Sequence, residues 1–195
     1  MKLYDISQEI FTCQIYEGDP GPKQIIINDM EQDDLYNLSA FSMCSHNGTH
    51  VDAPKHFLQN GKTIDEIPLE HFVGKAYVSE HHGLITAEDA FGILVKANGE
   101  DAAKRILIKG DAVVTIEAAE VFANAGILLL GNESQTIGPE DAPMAVHLLL
   151  LKADVVLFEG IRLAEVPEGV YLLNAVPLNL GGLEGAPCRA ILIEE

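Results

Sequence analysis

Polar and apolar residues along this chain fall into short runs, and the spacing of those runs predicts strands alternating with helices. Residues 2–6 (Lys-Leu-Tyr-Asp-Ile) alternate with period two, as a short strand does. A turn-rich loop follows at Tyr16-Glu17-Gly18-Asp19-Pro20-Gly21-Pro22, and residues 24–28 and 37–43 predict two further strands. Beyond Phe57 the pattern loosens: Asn60-Gly61 signals a turn and residues 64–72 are mixed. From Thr86 it becomes regular. Thr86-Ala87-Glu88-Asp89 reads as an N-cap with acidic residues in the first turn, opening a helix to about Asn98 that Gly99 closes. Residues 105–109 predict an apolar strand. Thr115 caps a second helix, with Glu117 and Glu120 outward, Val121 and Phe122 inward, and Gly126 at its end. Residues 127–130 form an unbroken apolar run, as a strand covered on both faces requires. Pro139-Glu140-Asp141 predicts the start of a third helix running to Lys152, followed by strands at 154–159, 171–178 and 189–193. This alternation predicts an α/β fold with a largely buried sheet and flanking helices.

The chain has 195 residues and a hydrophobic content of 48%, enough for one domain over residues 1–195 with its own core. Its net charge of -18, from 12 basic and 30 acidic residues, argues against nucleic acid or an anionic membrane as partner. Cys13, Cys44 and Cys188 are odd in number, widely spaced and form no Cys-x-x-Cys pair, which predicts a reduced, cytoplasmic protein. The start Met1-Lys2-Leu3-Tyr4-Asp5 has no apolar signal region, and no apolar run approaches the roughly 20 residues of a membrane span.

Chemistry concentrates in Ser45-His46-Asn47-Gly48-Thr49-His50-Val51-Asp52-Ala53-Pro54-Lys55-His56. Imidazole and carboxylate side chains bind borderline divalent metals without redox chemistry. His50 and Asp52 stand two apart, so an extended backbone points both to one face. Gly48 permits a tight turn that returns His46 toward that face. Pro54 bars a regular helix, so His56 leaves on a separate turn. Cys44, close to the first histidine, is a further possible ligand. Two residues later in the chain are ambiguous by themselves. His147 precedes four leucines on a predicted helix and could be an ordinary core histidine. Glu159 ends the apolar run Val155-Val156-Leu157-Phe158, where a carboxylate is costly unless paired or metal-bound. His71 lacks a partner at ligand spacing, and adjacent His81 and His82 diverge in either regular structure, so these predict structural or solvated roles.

The spaced motif His46-x3-His50-x-Asp52-x3-His56, with its Gly-Thr-His-x-Asp-Ala-Pro centre, resembles the signature of the cyclase family of metal-dependent hydrolases, which includes kynurenine formamidases and isatin hydrolases. Tyr16 to Pro20, Gly131-Asn132-Glu133-Ser134, His147 with Glu159, and Ala175 to Leu178 with Pro187 to Ala190 extend the resemblance over most of the chain. It implies a swivelling β/β/α arrangement and an oligomer, a dimer or larger. It also implies two divalent ions, zinc or manganese: His46, His50 and Asp52 on the first, His147 on the second, and the Asp52 and Glu159 carboxylates bridging. His56 would then be the unligated imidazole that shuttles a proton, and Tyr16 a substrate-facing aromatic. The implied reaction is hydrolysis of an amide C–N bond in a small molecule, such as N-formylkynurenine, with a cyclic amide such as isatin as alternative. A non-catalytic metal-binding module is the contrasting reading. Two positions depart from the family pattern: Tyr16 stands where formamidases often have tryptophan, which this chain lacks altogether, and Glu133 where an aspartate is expected.

Overall fold

The computed structural model describes residues 1–140 and 142–194. In chain order its strands are β1 (Lys2–Asp5), β2 (Lys23–Asn28), β3 (Leu38–Ser42), β4 (His50–Asp52), β5 (Val73–Glu80), β6 (Gly83–Ile85), β7 (Arg105–Lys109), β8 (Ala112–Val114), β9 (Leu129–Asn132), β10 (Val156–Glu159), β11 (Gly169–Asn174), β12 (Gly185–Pro187) and β13 (Ile191–Glu194). The α-helices among the described residues are α1 (Ala87–Gly99), α2 (Ile116–Asn124) and α3 (Met144–Lys152).

One large mixed sheet carries the order β1-β13-β11-β5-β7-β9-β10-β4-β12. Its centre, β5-β7-β9-β10, is parallel, and both flanks are antiparallel. The interiors of β7, β9 and β10 are apolar because both faces are covered, and the polar residues Arg105, Lys109, Asn132 and Glu159 stand at their ends. Alternation then sends consecutive side chains to two cores. Ile106, Ile108, Leu130 and Leu157 pack with Ala90, Ile93, Ala118 and Phe122 of α1 and α2 and with Leu150 of α3. Leu107, Leu129, Val156 and Phe158 pack on the opposite face with Tyr4 of β1, Val51 of β4 and Ala186 of β12. Strands from both ends of the sheet meet in this second core, so the sheet is curled. The fold is mixed α/β, as the sequence pattern predicts.

The helix caps follow the sequence. Thr86 and Asp89 form a reciprocal capping box at α1, and the Thr115 hydroxyl accepts from the Ala118 amide at α2. The third helix departs from the expectation. Its described start is Met144, after Pro143, and Pro139 instead opens a turn in which the Ala142 amide donates to the Pro139 carbonyl. Pro143 disfavours helical backbone at the residue before it, while its own missing amide costs nothing at a helix start, so the regular helix begins just beyond it. Asp141 lies outside the described residues. The sequence pattern does not anticipate β5, β6, β8 or β12. The strands expected at 127–130 and 171–178 are displaced to Leu129–Asn132 and Gly169–Asn174.

Strands β2 and β3 stand apart as a two-stranded antiparallel hairpin in which no residue is buried. Ile25, Ile26, Ile27, Leu38 and Phe41 are exposed there, with Met30, Leu35 and Tyr36 in the connection. Among the described residues, no helix is long and apolar enough to cross a membrane.

Phe158 is completely buried in the curled core, on the strand that also carries Glu159. Phe158→Ala should lower the free energy of unfolding by about 3–5 kcal/mol in chemical denaturation. A loss no larger than that of Leu35→Ala, which truncates an exposed side chain, would contradict this packing.

Candidate metal centre

Strand β4 lies antiparallel to β10, with His50 directly opposite Glu159 and Asp52 opposite Leu157. Period-two alternation turns His50, Asp52, Leu157 and Glu159 toward the helices, while Val51 and Phe158 enter the other core. The pairing depends on two glycines with left-handed backbones. Gly48 (φ +65°) turns the chain just before His50, where a side chain would sit 2.9 Å from Cys13 Cβ. Gly160 (φ +68°) follows Glu159, and a side chain there would strike the Gly48 carbonyl oxygen and the Gln135 amide. The Gly160 carbonyl accepts from Thr49 Oγ1 (2.7 Å) and Gln8 Nε2 (2.8 Å), which locks the two segments together. Helix α3 brings His147 over the same face.

The structure thereby gathers His46, His50, Asp52, His56, His147 and Glu159, residues spread over more than half the chain. His50 Nε2 lies 3.3 Å from Asp52 Oδ1 and 3.5 Å from Glu159 Oε2. His147 Nε2 lies 3.1 Å from Glu159 Oε1 and 3.7 Å from Asp52 Oδ2. His46 Nδ1 lies 2.8 Å from Asp52 Oδ1. His50 Nδ1 faces the Gly48 carbonyl (3.0 Å) and His147 Nδ1 the Pro143 carbonyl (2.9 Å). Those carbonyls can only accept, so they hold the proton on Nδ1 and direct Nε2 toward the carboxylates. His56, on the short turn Pro54–His56, stacks at 4.1 Å on His46 and holds Nε2 4.0 Å from Asp52 Oδ2. Its side chain retains 29% exposure, against 1% for His50 and 4% for His147.

Two groups have the composition and closeness to hold an ion: His46, His50 and Asp52, and Asp52, His147 and Glu159, each with ligand atoms within 4.8 Å of one another. They share Asp52. Glu159 presents one oxygen to each side. Among the described residues, buried Asp52 Oδ2 and His46 Nε2 have no hydrogen-bond partner, a cost that a cation would offset. This donor set, imidazole and carboxylate without thiolate, suits a borderline divalent ion. Cys44 stays outside it, with Sγ toward Asp19 Oδ2 at 3.8 Å.

Electrostatics express the same arrangement. Burial opposes charge on His50, but hydrogen bonds to Asp52 and Glu159 outweigh it and raise its pKa to about 10. His147 is raised too, burial being overcome chiefly by Glu159. Asp52 is buried, yet His46 and His50 hold its carboxyl well below the usual range. His56 moves the other way: burial lowers its pKa, Asp52 opposes, and His46 and His147 add to the lowering.

The other expected positions lie apart. Tyr16 makes its hydrogen bond elsewhere: its hydroxyl donates to the Glu140 carbonyl at 3.4 Å, and it lines a separate cavity. Glu133 braces backbone, accepting from the Gly110 and Leu163 amides at 2.7 and 2.8 Å. His71 faces the Pro68 carbonyl, His81 the Leu84 carbonyl, and exposed His82 pairs with Asp111. One neighbour escaped the sequence. Glu184 Oε1 accepts from Ser45 Oγ (2.6 Å) and lies 3.4 Å from His46 Nε2. Burial works against its charge, but the Ser45 bond and the His46 and His56 imidazoles keep its pKa low. No local pattern marks Glu184, because its partners are about 140 residues away.

Comparison with known proteins agrees with this geometry. The family profile described as "Putative cyclase" matches residues 4–139. A kynurenine formamidase of Salinibacter ruber is 32% identical, over 98% of this chain and 97% of its own. A structure titled as a potential metal-dependent hydrolase with cyclase activity superposes with a TM-score of 0.81 at 30% identity, covering 98% of this chain and 96% of that one. Isatin hydrolase A from Labrenzia aggregata shares the fold, with a TM-score of 0.83 at 20% identity over 100% of this chain and 94% of its own. The chain belongs to the cyclase family of metal-dependent hydrolases.

The raised pKa of His50 makes the metal-free protein's stability depend on pH. A raised histidine contributes stability that is fully present below its ordinary value of 6.5 and is lost as pH rises through about 10. Chelator-treated wild type and His50→Gln should therefore differ most in denaturation midpoint near pH 6, and the gap should close as pH approaches 10. A gap that widens over that range would refute the assignment.

Proposed function

We propose that this protein is a metal-dependent hydrolase that cleaves the C–N bond of an amide, with an N-formyl aromatic amine such as N-formylkynurenine as its substrate. The observation that carries this reading is the pair of three-residue groups joined at Asp52, with a further imidazole, His56, beside them. His46, His50 and Asp52 would hold one divalent ion, and His147 with Asp52 and Glu159 would hold a second. Zinc and manganese both suit these donors. When bound, such a pair polarises a carbonyl and makes water acidic enough to attack it near neutral pH. The Nδ1–carbonyl bonds of His50 and His147 keep each ring's Nε2 directed inward throughout. His56 is the most exposed of His50, His56 and His147 and has a lowered pKa, so it is neutral near pH 7 and accepts a proton there. Passing that proton to the departing nitrogen completes the cleavage. The likeness to the Salinibacter kynurenine formamidase supports the formamide over other amides. Tyr16 in place of tryptophan keeps a cyclic amide such as isatin as the second substrate to assay.

We also infer a homodimer or larger oligomer in the cytoplasm. A two-stranded hairpin is marginal in water by itself, and the exposed Ile25, Ile26, Ile27 and Phe41 make β2–β3 the surface a second copy would cover. Light scattering should give at least twice the 21.1 kDa chain mass, and Ile26→Glu with Phe41→Glu should reduce it. A wild-type mass equal to one chain would reject the assembly.

His56 separates catalysis from mere metal binding. His56→Ala should keep its metal by elemental analysis while turnover on an N-formyl arylamine falls by about 10²–10⁴-fold. His50→Ala should lose metal and activity together. Full activity after exhaustive chelation would overturn the metal-dependent reading, and wild-type turnover in metal-replete His56→Ala would remove His56 from the mechanism.

A further inference from the structure

Strand β12 lies on β4 with Gly185 opposite Asp52, and the pairing continues one residue further, where the Ala53 amide donates to the Glu184 carbonyl (2.8 Å). The residue before is tied down as well, since the Ile64 amide donates to the Leu183 carbonyl (2.9 Å). These bonds fix the Glu184 backbone beside Asp52, although Glu184 belongs to neither group able to hold an ion. Its side chain is held too: Ser45 Oγ donates to Oε1 at 2.6 Å. That same oxygen stands 3.4 Å from His46 Nε2.

The His46 ring is turned the opposite way from the other two imidazoles. His50 and His147 give Nδ1 to backbone carbonyls and turn Nε2 toward the carboxylates. His46 instead has Nδ1 inward, 2.8 Å from Asp52 Oδ1, and Nε2 on the side of Glu184. The ring is clamped in that pose. His56 stacks on it at 4.1 Å, and a side chain at position 185 would come within 2.8 Å of its Cε1, so only glycine lets the ring lie against the β12 backbone. Half a turn of the ring would put a carbon where each nitrogen now stands and lose both carboxylates.

Among the described residues, buried Nε2 nevertheless has no hydrogen bond. The position of the proton accounts for this. With the proton on Nδ1, bonded to Asp52, Nε2 is an acceptor facing another acceptor, which satisfies neither. Ligation through Nδ1 leaves the neutral ring's proton on Nε2, where Glu184 can accept it. A carboxylate behind a ligating imidazole fixes its tautomer, orients the ring and makes it a stronger ligand.

We propose that Glu184 is the positioning residue for His46, holding the proton on Nε2 so that this ring, unlike those of His50 and His147, ligates the ion through Nδ1. The inference rests on the metal-dependent reading and adds to it a residue outside both ligand groups.

Two measurements with zinc as the probe test it. Nitrogen-15 NMR of the zinc-loaded wild type, with the imidazole signals assigned, should show His46 carrying its proton on Nε2 and His50 and His147 carrying theirs on Nδ1. Titration of the metal-free protein against a competing chelator should show Glu184→Ala weakening zinc binding by about 10–100-fold. Glu184→Gln, which keeps an acceptor oxygen without the charge, should recover part of that loss. A zinc-loaded wild type with the His46 proton on Nδ1 would overturn the proposal, and this outcome needs no variant to fold. So would a folded Glu184→Ala that binds zinc as tightly as wild type, which would leave Glu184 as a partner of Ser45 alone. A wild type that takes up no zinc would sink the metal-dependent reading together with this inference, whereas zinc taken up with His46 protonated on Nδ1 sinks the positioning role and leaves that reading standing.

Discussion

The antiparallel pairing of β4 with β10 carries the rest of the site, because it buries two carboxylates, Asp52 and Glu159, between apolar layers. A buried carboxylate without a counter-charge would be ruinous in a core of this kind. Three imidazoles meet that demand: His46 from the turn before β4, His50 from β4 itself, and His147 from α3. The raised pKa values of His50 and His147 and the depressed one of Asp52 are opposite faces of one balance. A divalent ion would replace those protons, so metal affinity and proton release are linked.

The backbone bears the cost of the arrangement. Gly48 and Gly160 press together where no side chain fits, and Thr49 and Gln8 fasten the Gly160 carbonyl. Rigid strands therefore hold His50, Asp52 and Glu159, and the more exposed His56 sits on a short turn at the margin. That division suits ligands that must not move and a proton carrier that must reach solvent and substrate. Outside the gathered residues, the loops after β7, β9 and β10 build a charged cavity whose wall shares hydrogen bonds with Glu159.

The first half of the site was legible because its information is local. Period two puts His50 and Asp52 on one face, glycine at 48 permits the turn, and Pro54 separates His56. All three effects act within a few residues. Helices α1 and α2 were legible for the same reason, through their threonine caps and, for α2, the glycine at 126. The third helix starts later than its pattern predicts, because two prolines compete there and only the second, Pro143, immediately precedes regular structure. The short strands β6, β8 and β12 gave no pattern, since three residues are too few to show a period.

By itself, then, the sequence determined the α/β alternation, the two capped helices, the imidazole-rich motif and the family it resembles. Only the tertiary structure decided that His50 faces Glu159 across a strand pair and that Glu184 lies against His46. It alone opened a cavity at the carboxyl ends of β7, β9 and β10, apart from the imidazoles. The physical reason is sequence distance: each of these depends on segments brought together by strand order and curling. Neither periodicity nor spacing encodes which strand will lie beside which.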